Sequence, residues 1–175
     1  MIGRLLHAQR RRSTRKRLRA VGLPRAVLFI CHGNLCRSPY AAGAFLRLLP
    51  GDVGKGTRVS SAGFLGSGIP APTQAVAAAA ARHVDLSTHR SRIVTTQRLD
   101  DADVIVVMDP KQAQAVQHRF GTPKHLMIVL GDIDPAPGAA RVILDPVHQP
   151  REVFDACYAR IDRCLGAWIA DMFGT

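Results

Sequence analysis

Short strand-like runs alternate with longer stretches of helical periodicity from residue 25 to the end of the chain. We predict β-strands at Ala26–Ile30, Thr57–Ser61, Asp103–Met108 and His125–Leu130. Between and after them we predict helices at Ser38–Leu49, Thr73–His83, Pro110–Phe120 and Arg151–Phe173. Alternating strands and helices are typical of a parallel sheet covered on both faces. We therefore expect a single α/β domain of three layers, with a central, mostly four-stranded parallel sheet flanked by helices.

Proline, glycine and aspartate mark the ends of several elements. Pro50-Gly51 should stop the first of these helices. Thr73 and Asp109 are placed to cap the two helices that follow them. The segments Phe64–Pro72 and Gly131–Arg141 predict loops, and Ile93-Val94 predicts a short strand or turn. Ligands bind such sheets outside the carboxyl ends of the strands, so we expect the site there.

The basic residues are concentrated at the start of the chain. The formal net charge is +11, but residues 1–25 contain nine of the 24 Lys and Arg residues and no acid, whereas residues 26–175 have a net charge of +2. We therefore divide the chain into a basic extension, residues 1–24, and a domain, residues 25–175. The run Arg10–Arg19 has little to bury, which predicts a solvated, poorly ordered tail or a frayed helix. Contact with an anionic surface, or a transit peptide, stays open.

The first strand leads directly into the sequence Cys-His-Gly-Asn-Leu-Cys-Arg-Ser-Pro, residues 31–39. Loop amides and the start of the following helix can bind an oxyanion, and the planar fork of Arg37 can hold two of its oxygens. Positive potential around Cys31 favours the thiolate, which is the nucleophilic form. The loop therefore predicts attack by Cys31 on the phosphorus of a bound phosphate. The alternative is a structural loop in which Cys31 is a small buried hydrophobe.

Cleavage of a phosphate ester also needs a group that protonates the leaving oxygen. Four carboxylates lie at strand ends or in loops: Asp109, Asp132, Asp134 and Asp145. Asp109 also has a possible structural role as a helix cap. The sequence pattern alone does not show which of the four is the proton donor.

The stretch Cys31–Pro39 resembles the signature of the low-molecular-weight protein tyrosine phosphatases, C-x-G-N-x-C-R-S-P, in which only two positions are free. Further matching stretches follow in the same order, at Ser61-Ala62-Gly63, His89–Arg92, Val107–Asp109 and Leu144–Pro150. The resemblance thus covers about residues 26–170.

This resemblance implies a cysteine-dependent phosphomonoester hydrolase, specifically a protein tyrosine phosphatase that forms a cysteinyl phosphate. It assigns Asp145 as the general acid and base. It implies phosphate binding by His32, Gly33, Asn34, Leu35, Cys36 and Arg37, and supporting hydrogen bonds from Ser38, Ser61 and His89. It also implies that Cys36 can form a protective disulfide with Cys31. No metal or cofactor is expected, because the positive cradle neutralises the charge.

The expected substrate rim departs from the family pattern. It comprises Phe64, Leu65, Val147 and His148. Val147 replaces an aromatic residue, and aromatic walls normally stack on the ring of phosphotyrosine. We therefore expect phosphate transfer to be retained and the preference for phosphotyrosine to be weakened. His32 either favours the thiolate when it is charged or faces solvent.

Three alternatives remain at this stage. Arsenate reductase has the same fold and loop, but it needs further cysteines within reach of the nucleophile, and Cys157 and Cys164 lie on the closing helix. A phosphoarginine phosphatase gains no support from Leu35. A phosphate-binding module without turnover conflicts with the intact set of Cys31, Arg37 and Asp145.

The expected surroundings of the protein follow from this chemistry. A reactive thiol must stay reduced, and no apolar run approaches the ~20 residues of a membrane span, so we expect a cytoplasmic protein. The partner should be a phosphorylated protein, for which the resemblance permits a bacterial tyrosine kinase of polysaccharide export, or a small phosphomonoester. We expect a monomer that does not bind nucleic acid.

Overall fold

One parallel sheet forms the centre of the molecule. The computed structural model describes residues 2–123 and 125–174. Its strands are β1 (Ala26–Ile30), β2 (Arg58–Ala62), β3 (Val104–Val107) and β4 (Leu126–Val129), in the order β2-β1-β3-β4. β1 is central, since Phe29 is in register with Ser61 of β2 and with Val106 of β3. The predicted α/β fold around a four-stranded parallel sheet is confirmed.

Helices cover both faces of the sheet. They are α1 (Ile2–Val21), α2 (Arg37–Leu48), α3 (Gly51–Gly56), α4 (Thr73–Ala80), α5 (Thr96–Asp100), α6 (Pro110–Phe120) and α7 (Arg151–Phe173). Successive side chains of a strand point to opposite faces. Phe29 accordingly belongs to the larger core with α2, α4 and α7, whereas Ile30 belongs to the smaller core with α5 and α6. Burial on both faces explains why β1 is apolar throughout.

The larger core fixes α2 against α7 directly beneath the Cys31 loop. The rings of Tyr40 and Tyr158 are stacked, with their centroids 3.8 Å apart. The hydroxyl of Tyr40 donates to the carboxylate of Asp162. Phe45 and Trp168 make a second aromatic contact further along the same two helices, at 4.8 Å. The loop therefore rests on a rigid two-helix base.

Local differences from the predicted elements have local causes. Pro50 does not simply end a helix, because α3 follows it as a further short helix in a glycine-rich stretch. Helix α4 ends three residues before the predicted end, and Thr73 does not cap it, since Pro72 occupies that position. Helix α5 is additional, and the side chain of Thr95 caps it. Ile93 makes only a single bridge to Gly63. The cap at Asp109 is confirmed, because its carboxylate accepts from Gln112 N at 2.9 Å.

The basic extension folds onto the domain. Helix α1 buries His7, Thr14 and Leu18. Its arginines pair with acids of the body: Arg15 and Arg19 with Asp171 of α7, and Arg10 with Asp132 after β4. The expectation of a poorly ordered tail is therefore wrong for residues 2–21, because long-range ion pairs and one apolar contact hold this segment. Among the described residues, no helix combines the length and apolarity needed to cross a bilayer.

Candidate active site

The Cys31 loop joins the carboxyl end of β1 to the start of α2, at the edge of the sheet where ligands bind. The end of β2 lies tightly against it. A methyl group at Gly63 would lie 2.7 Å from Asn34 N and 2.8 Å from His32 O. Only glycine fits at this contact, which explains the Ser-Ala-Gly stretch seen in the sequence.

Carbonyl groups of the loop are directed away from its centre. Phe64 N donates to His32 O at 2.7 Å, His89 Nε2 contacts Asn34 O at 2.7 Å, and Tyr158 Oη donates to Cys36 O at 3.3 Å. In a planar trans peptide the N–H points opposite to the C=O. The N–H groups of the residues that follow, at positions 33, 35 and 37, therefore point inward. Such convergent amides form an anion-binding concavity.

A chain of hydrogen bonds ends on the thiol of Cys31. Ser38 Oγ donates to Cys31 Sγ at 3.0 Å, and Asn34 N donates to it at 3.2 Å. Asn34 Nδ2 in turn donates to Ser38 Oγ and to Ser61 Oγ, each at 2.9 Å. Every one of these side chains is buried. The sulfur therefore has two donors that stabilise negative charge on it.

Asn34 and His89 hold the shape of the loop. Asn34 has a φ of +55°, a left-handed conformation that asparagine tolerates better than most residues, and its Oδ1 accepts from Arg92 N at 2.8 Å. Burial lowers the pKa of His89, and the charges of Arg92 and Arg90 add to this effect, although the hydrogen bond to Asn34 O opposes it. A neutral imidazole with its proton on Nε2 satisfies this geometry. The predicted contacts of Ser61 and His89 with Asn34 are thus present in the structure.

Arg37 connects the loop to the segment that contains Asp145. Its side chain is buried. One terminal nitrogen donates to Ile143 O at 2.9 Å, and the other forms an ion pair with Asp145. Its Nε is buried and has no partner among the described residues. Ile143 O and Asp145 thus fix the position of the guanidinium, and its Nε–H remains available as a donor to an oxyanion.

Each of the other candidate carboxylates has a structural partner. Asp109 caps α6, Asp132 pairs with Arg141 and Arg10, and Asp134 is fully buried between Arg160 and Arg163. Burial raises the pKa of Asp134, but hydrogen bonds from Arg163, Ala136 N and Arg160 outweigh it and lower the pKa to about 2. Asp145 alone of the four contacts Arg37 in the described residues, with its side chain 34% exposed. The structure therefore brings Asp145 to the Cys31 loop.

The remaining cysteines are buried and are present as free thiols. Burial raises the pKa of Cys36 and raises that of Cys157 to about 12, with a further contribution from the negative charge of Asp145 in both cases. Cys164 has its pKa raised to about 12, again chiefly by burial. Thiols in such surroundings are poor nucleophiles at neutral pH. In the described residues, no second cysteine has a lowered pKa that would favour a thiol relay of the arsenate reductase type. The Cys31–Cys36 disulfide stays a prediction.

A cleft of about 530 Å³ opens over the loop. Its lining includes His32, Arg37, Phe64, Leu144 and Asp145, together with Asp109, Lys111 and Arg119 at or on α6. The guanidinium of Arg119 lies 5.2 Å from the centre of the Phe64 ring. Lys111, Arg119 and Leu144 could not be assigned to the cleft from the sequence, because a position on a surface helix or in an exposed loop gives no sign of facing a cleft.

The other predicted rim residues lie beside this cleft. Leu65 is exposed and lies close to Gly33. Val147 packs against the larger core, and His148 is exposed with a φ of +62°. Neither Val147 nor His148 is among the residues that line the cleft in the described structure. This differs from the expected rim, because the side chain of Val147 is engaged by the core.

Comparison with known proteins assigns the family. The sequence-family model of the low molecular weight phosphotyrosine protein phosphatases matches residues 26–173 of this chain. The chain belongs to this family of cysteine-based phosphatases. A probable low molecular weight protein-tyrosine-phosphatase, EpsP of Ralstonia nicotianae, is 33% identical over 83% of this chain and 94% of its own length. The family assignment from the motif at residues 31–39 is therefore confirmed.

Two further similarities bear on substrate choice. A protein-arginine-phosphatase of Bacillus subtilis is 30% identical over 79% of this chain and 91% of its own length. The structure of Vibrio vulnificus Wzb in complex with benzylphosphonate has a TM-score of 0.72 at 27% identity, and covers 83% of this chain and 97% of that one. Family members thus differ in the phosphorylated amino acid that their names give as substrate. The substrate of this chain therefore has to be argued from the residues around its cleft.

Proposed function

We propose that this phosphatase hydrolyses phosphotyrosine in a protein substrate, with Cys31 as nucleophile, Arg37 and the inward loop amides as the phosphate site, and Asp145 as general acid and base. The observation on which this rests is the position of the Cys31 thiol. It lies in the loop whose amides we infer to point inward, and it accepts hydrogen bonds from Ser38 Oγ and Asn34 N.

In the first step the sulfur of Cys31 attacks phosphorus in line with the leaving oxygen. The S–P bond forms as the P–O bond breaks, and Asp145 gives its proton to the departing oxygen. The three equatorial oxygens are held by Arg37 and by the amides at positions 33, 35 and 37, which neutralise their charge.

In the second step water attacks the cysteinyl phosphate. Asp145, now a carboxylate, takes a proton from the water, and the bond between sulfur and phosphorus breaks. The products are inorganic phosphate and the thiolate of Cys31. The hydrogen bond from Ser38 stabilises the sulfur as it leaves with negative charge.

The residues that line the cleft favour a phosphotyrosine over a phosphoarginine. Lys111 and Arg119 outnumber Asp109 on the α6 side of the cleft, and this net positive charge repels a guanidinium leaving group and attracts an acidic peptide. Phe64 and Leu144 offer apolar surface for an aromatic ring. A phosphorylated bacterial tyrosine kinase in the cytoplasm, where the thiol stays reduced, is the partner that we propose.

Hydrolysis of p-nitrophenyl phosphate without added metal tests the chemistry, and rates on tyrosine- and arginine-phosphorylated peptides test the substrate. We expect activity in the wild type and in Cys164→Ser, which changes a buried cysteine in the core, and none above background in Cys31→Ser. Equal rates for wild type and Cys31→Ser would reject the catalytic role. A faster rate on the arginine-phosphorylated peptide would reject phosphotyrosine as the preferred substrate.

A further inference from the structure

The outward side of α1 combines positive charge with exposed apolar residues, and neither property serves the proposed catalysis. Positions 2, 5, 9, 12 and 16 recur at alternating intervals of three and four, so they form one stripe along the helix. This stripe lies opposite the buried residues His7, Thr14 and Leu18. We use the term outer face for the exposed side chains Ile2, Leu5, Arg12 and Lys16 of this stripe together with the adjacent exposed Leu6.

Positive charge on α1 exceeds what the body neutralises. The helix contains Arg4, Arg10, Arg11, Arg12, Arg15, Lys16, Arg17 and Arg19, and it contains no acid. Three of these, Arg10, Arg15 and Arg19, pair with carboxylates of the body. Arg12 and Lys16 on the outer face pair with no carboxylate in the part of the chain that the structure describes. Their charge is therefore available to a partner outside the molecule.

Apolar exposure is concentrated at the beginning of the same helix. Ile2, Leu5 and Leu6 are 75%, 67% and 48% exposed. A nucleic acid would gain little from three aliphatic side chains, because its backbone binds charge. A bilayer gains from both properties, since aliphatic residues enter the headgroup region and basic residues attract anionic lipids.

We propose that α1 lies on an anionic membrane surface. Ile2, Leu5 and Leu6 insert among the lipid headgroups, and the negative charge of these headgroups attracts Arg12 and Lys16. The occupant is a bilayer that contains acidic phospholipid. This surface is independent of the chemistry at Cys31.

Attachment at α1 determines where the catalytic loop would lie. The first half of α1 reaches the segment after β4, where Arg4 lies beside Gly138 and Arg10 pairs with Asp132. All strands of the sheet are parallel, so the end of β4 and the end of β1 lie at the same edge. The inserted tip of α1 is therefore at the catalytic edge, and docking holds that edge near the membrane.

Sedimentation of the full chain with vesicles tests the proposal. Phosphatidylcholine vesicles with and without phosphatidylglycerol are compared in a buffer of physiological salt. We expect binding only to the anionic vesicles. The double variant Arg12→Glu/Lys16→Glu should bind at least ~25-fold more weakly, because each basic residue near such a surface contributes about a fivefold factor in affinity. The matched control Lys55→Glu/Arg58→Glu changes the net charge equally at other exposed positions and should bind as the wild type does.

A second variant tests insertion, and further outcomes would overturn the proposal. Leu5→Ser/Leu6→Ser should lose most of its binding at physiological salt and retain it at low salt, where electrostatic attraction is stronger.

Three outcomes would each contradict membrane docking. They are unchanged binding of this variant at physiological salt, equal loss of binding in the Lys55→Glu/Arg58→Glu control, and equal binding of the wild type to neutral vesicles. Binding to single-stranded RNA together with no binding to the anionic vesicles would also contradict it. Hydrolysis of p-nitrophenyl phosphate at the wild-type rate verifies that every variant is folded.

Discussion

Arg37 and Asp145, which are 108 positions apart in the chain, form an ion pair next to the Cys31 thiol. The same guanidinium is the expected ligand of the substrate phosphate. Phosphate and carboxylate therefore compete for one donor group. This competition gives Asp145 a reason to leave Arg37 when substrate binds, and it leads to the first prediction.

Asp145→Asn should lower kcat and tighten the binding of inorganic phosphate. The amide cannot donate the proton of a carboxylic acid, and general acid catalysis typically contributes about 10²–10⁴-fold. Removal of the negative charge also frees Arg37 and ends repulsion of the phosphate. The measurements are kcat on p-nitrophenyl phosphate and the inhibition constant of phosphate. Weaker phosphate binding in the variant would contradict the competition.

Replacement of Ser38 by alanine should slow turnover. The hydroxyl donates to Cys31 Sγ, and a hydrogen bond to a charged group contributes about 1.5–3 kcal/mol, so kcat should fall by about 10- to 100-fold. Ser60→Ala on β2 is the control, because Ser60 has no part in the chain of hydrogen bonds described for Cys31. A rate for Ser38→Ala within twofold of the control would mean that the hydroxyl does not act on the sulfur.

The close contact at Gly63 predicts a steric effect on catalysis. Gly63→Ala places a methyl group against backbone atoms of the loop at 2.7–2.9 Å, so the loop must shift. A displacement of about 1 Å can cost about 10²-fold in rate, and we expect at least a tenfold loss of kcat/KM. Gly66→Ala is the matched control three residues away, where the nearest atom is 3.8 Å from the added methyl. Similar kinetics for the two variants would show that the loop yields to the clash.

Asp134 should make stability depend on acid pH. Its pKa is lowered from 3.8 to about 2 in the folded protein. The stabilisation is therefore complete well above pH 4 and is lost as the pH falls through 2. It is about 2 kcal/mol at pH 6, and about 1 kcal/mol of this is lost by pH 3. Urea unfolding of wild type and Asp134→Asn at pH 6 and pH 3 checks this. The difference in the free energy of unfolding between the two proteins should be smaller at pH 3. A difference that is the same at both pH values would exclude titration of Asp134 as the cause.

The sequence was most informative where local and tertiary signals agree. β1 is buried on both faces and its apolar run is unbroken, so its bounds are as predicted. Helix α7 also agrees from Arg151 to Phe173, because apolar positions recur at helical spacing over its whole length. The loop from Cys31 could be interpreted chemically since its strand, glycine and arginine fall in one short stretch.

Long-range effects account for what the sequence could not predict. Helix α1 is densely basic, and its stability depends on Asp132 and Asp171, which are far away in the chain. The placement of Lys111 and Arg119 at the cleft depends on how α6 is oriented on the sheet, which periodicity does not determine. Only the family resemblance could identify Asp145 as the general acid, because its contact with Arg37 is formed by the fold and leaves no sign in the sequence.

The outward carbonyl groups of the Cys31 loop are bound by residues of three separate segments, at Phe64, His89 and Tyr158. The shape of the loop therefore depends on these three segments as well as on hydrogen bonds within the loop. Partial opening of the structure that releases α7 would remove the bond from Tyr158 and leave Cys36 O with Tyr40 N as its donor, which would disturb the amides that face the phosphate. Turnover should consequently disappear at lower denaturant concentrations than the helical circular dichroism signal, so that catalytic rate serves as a probe of sub-global unfolding.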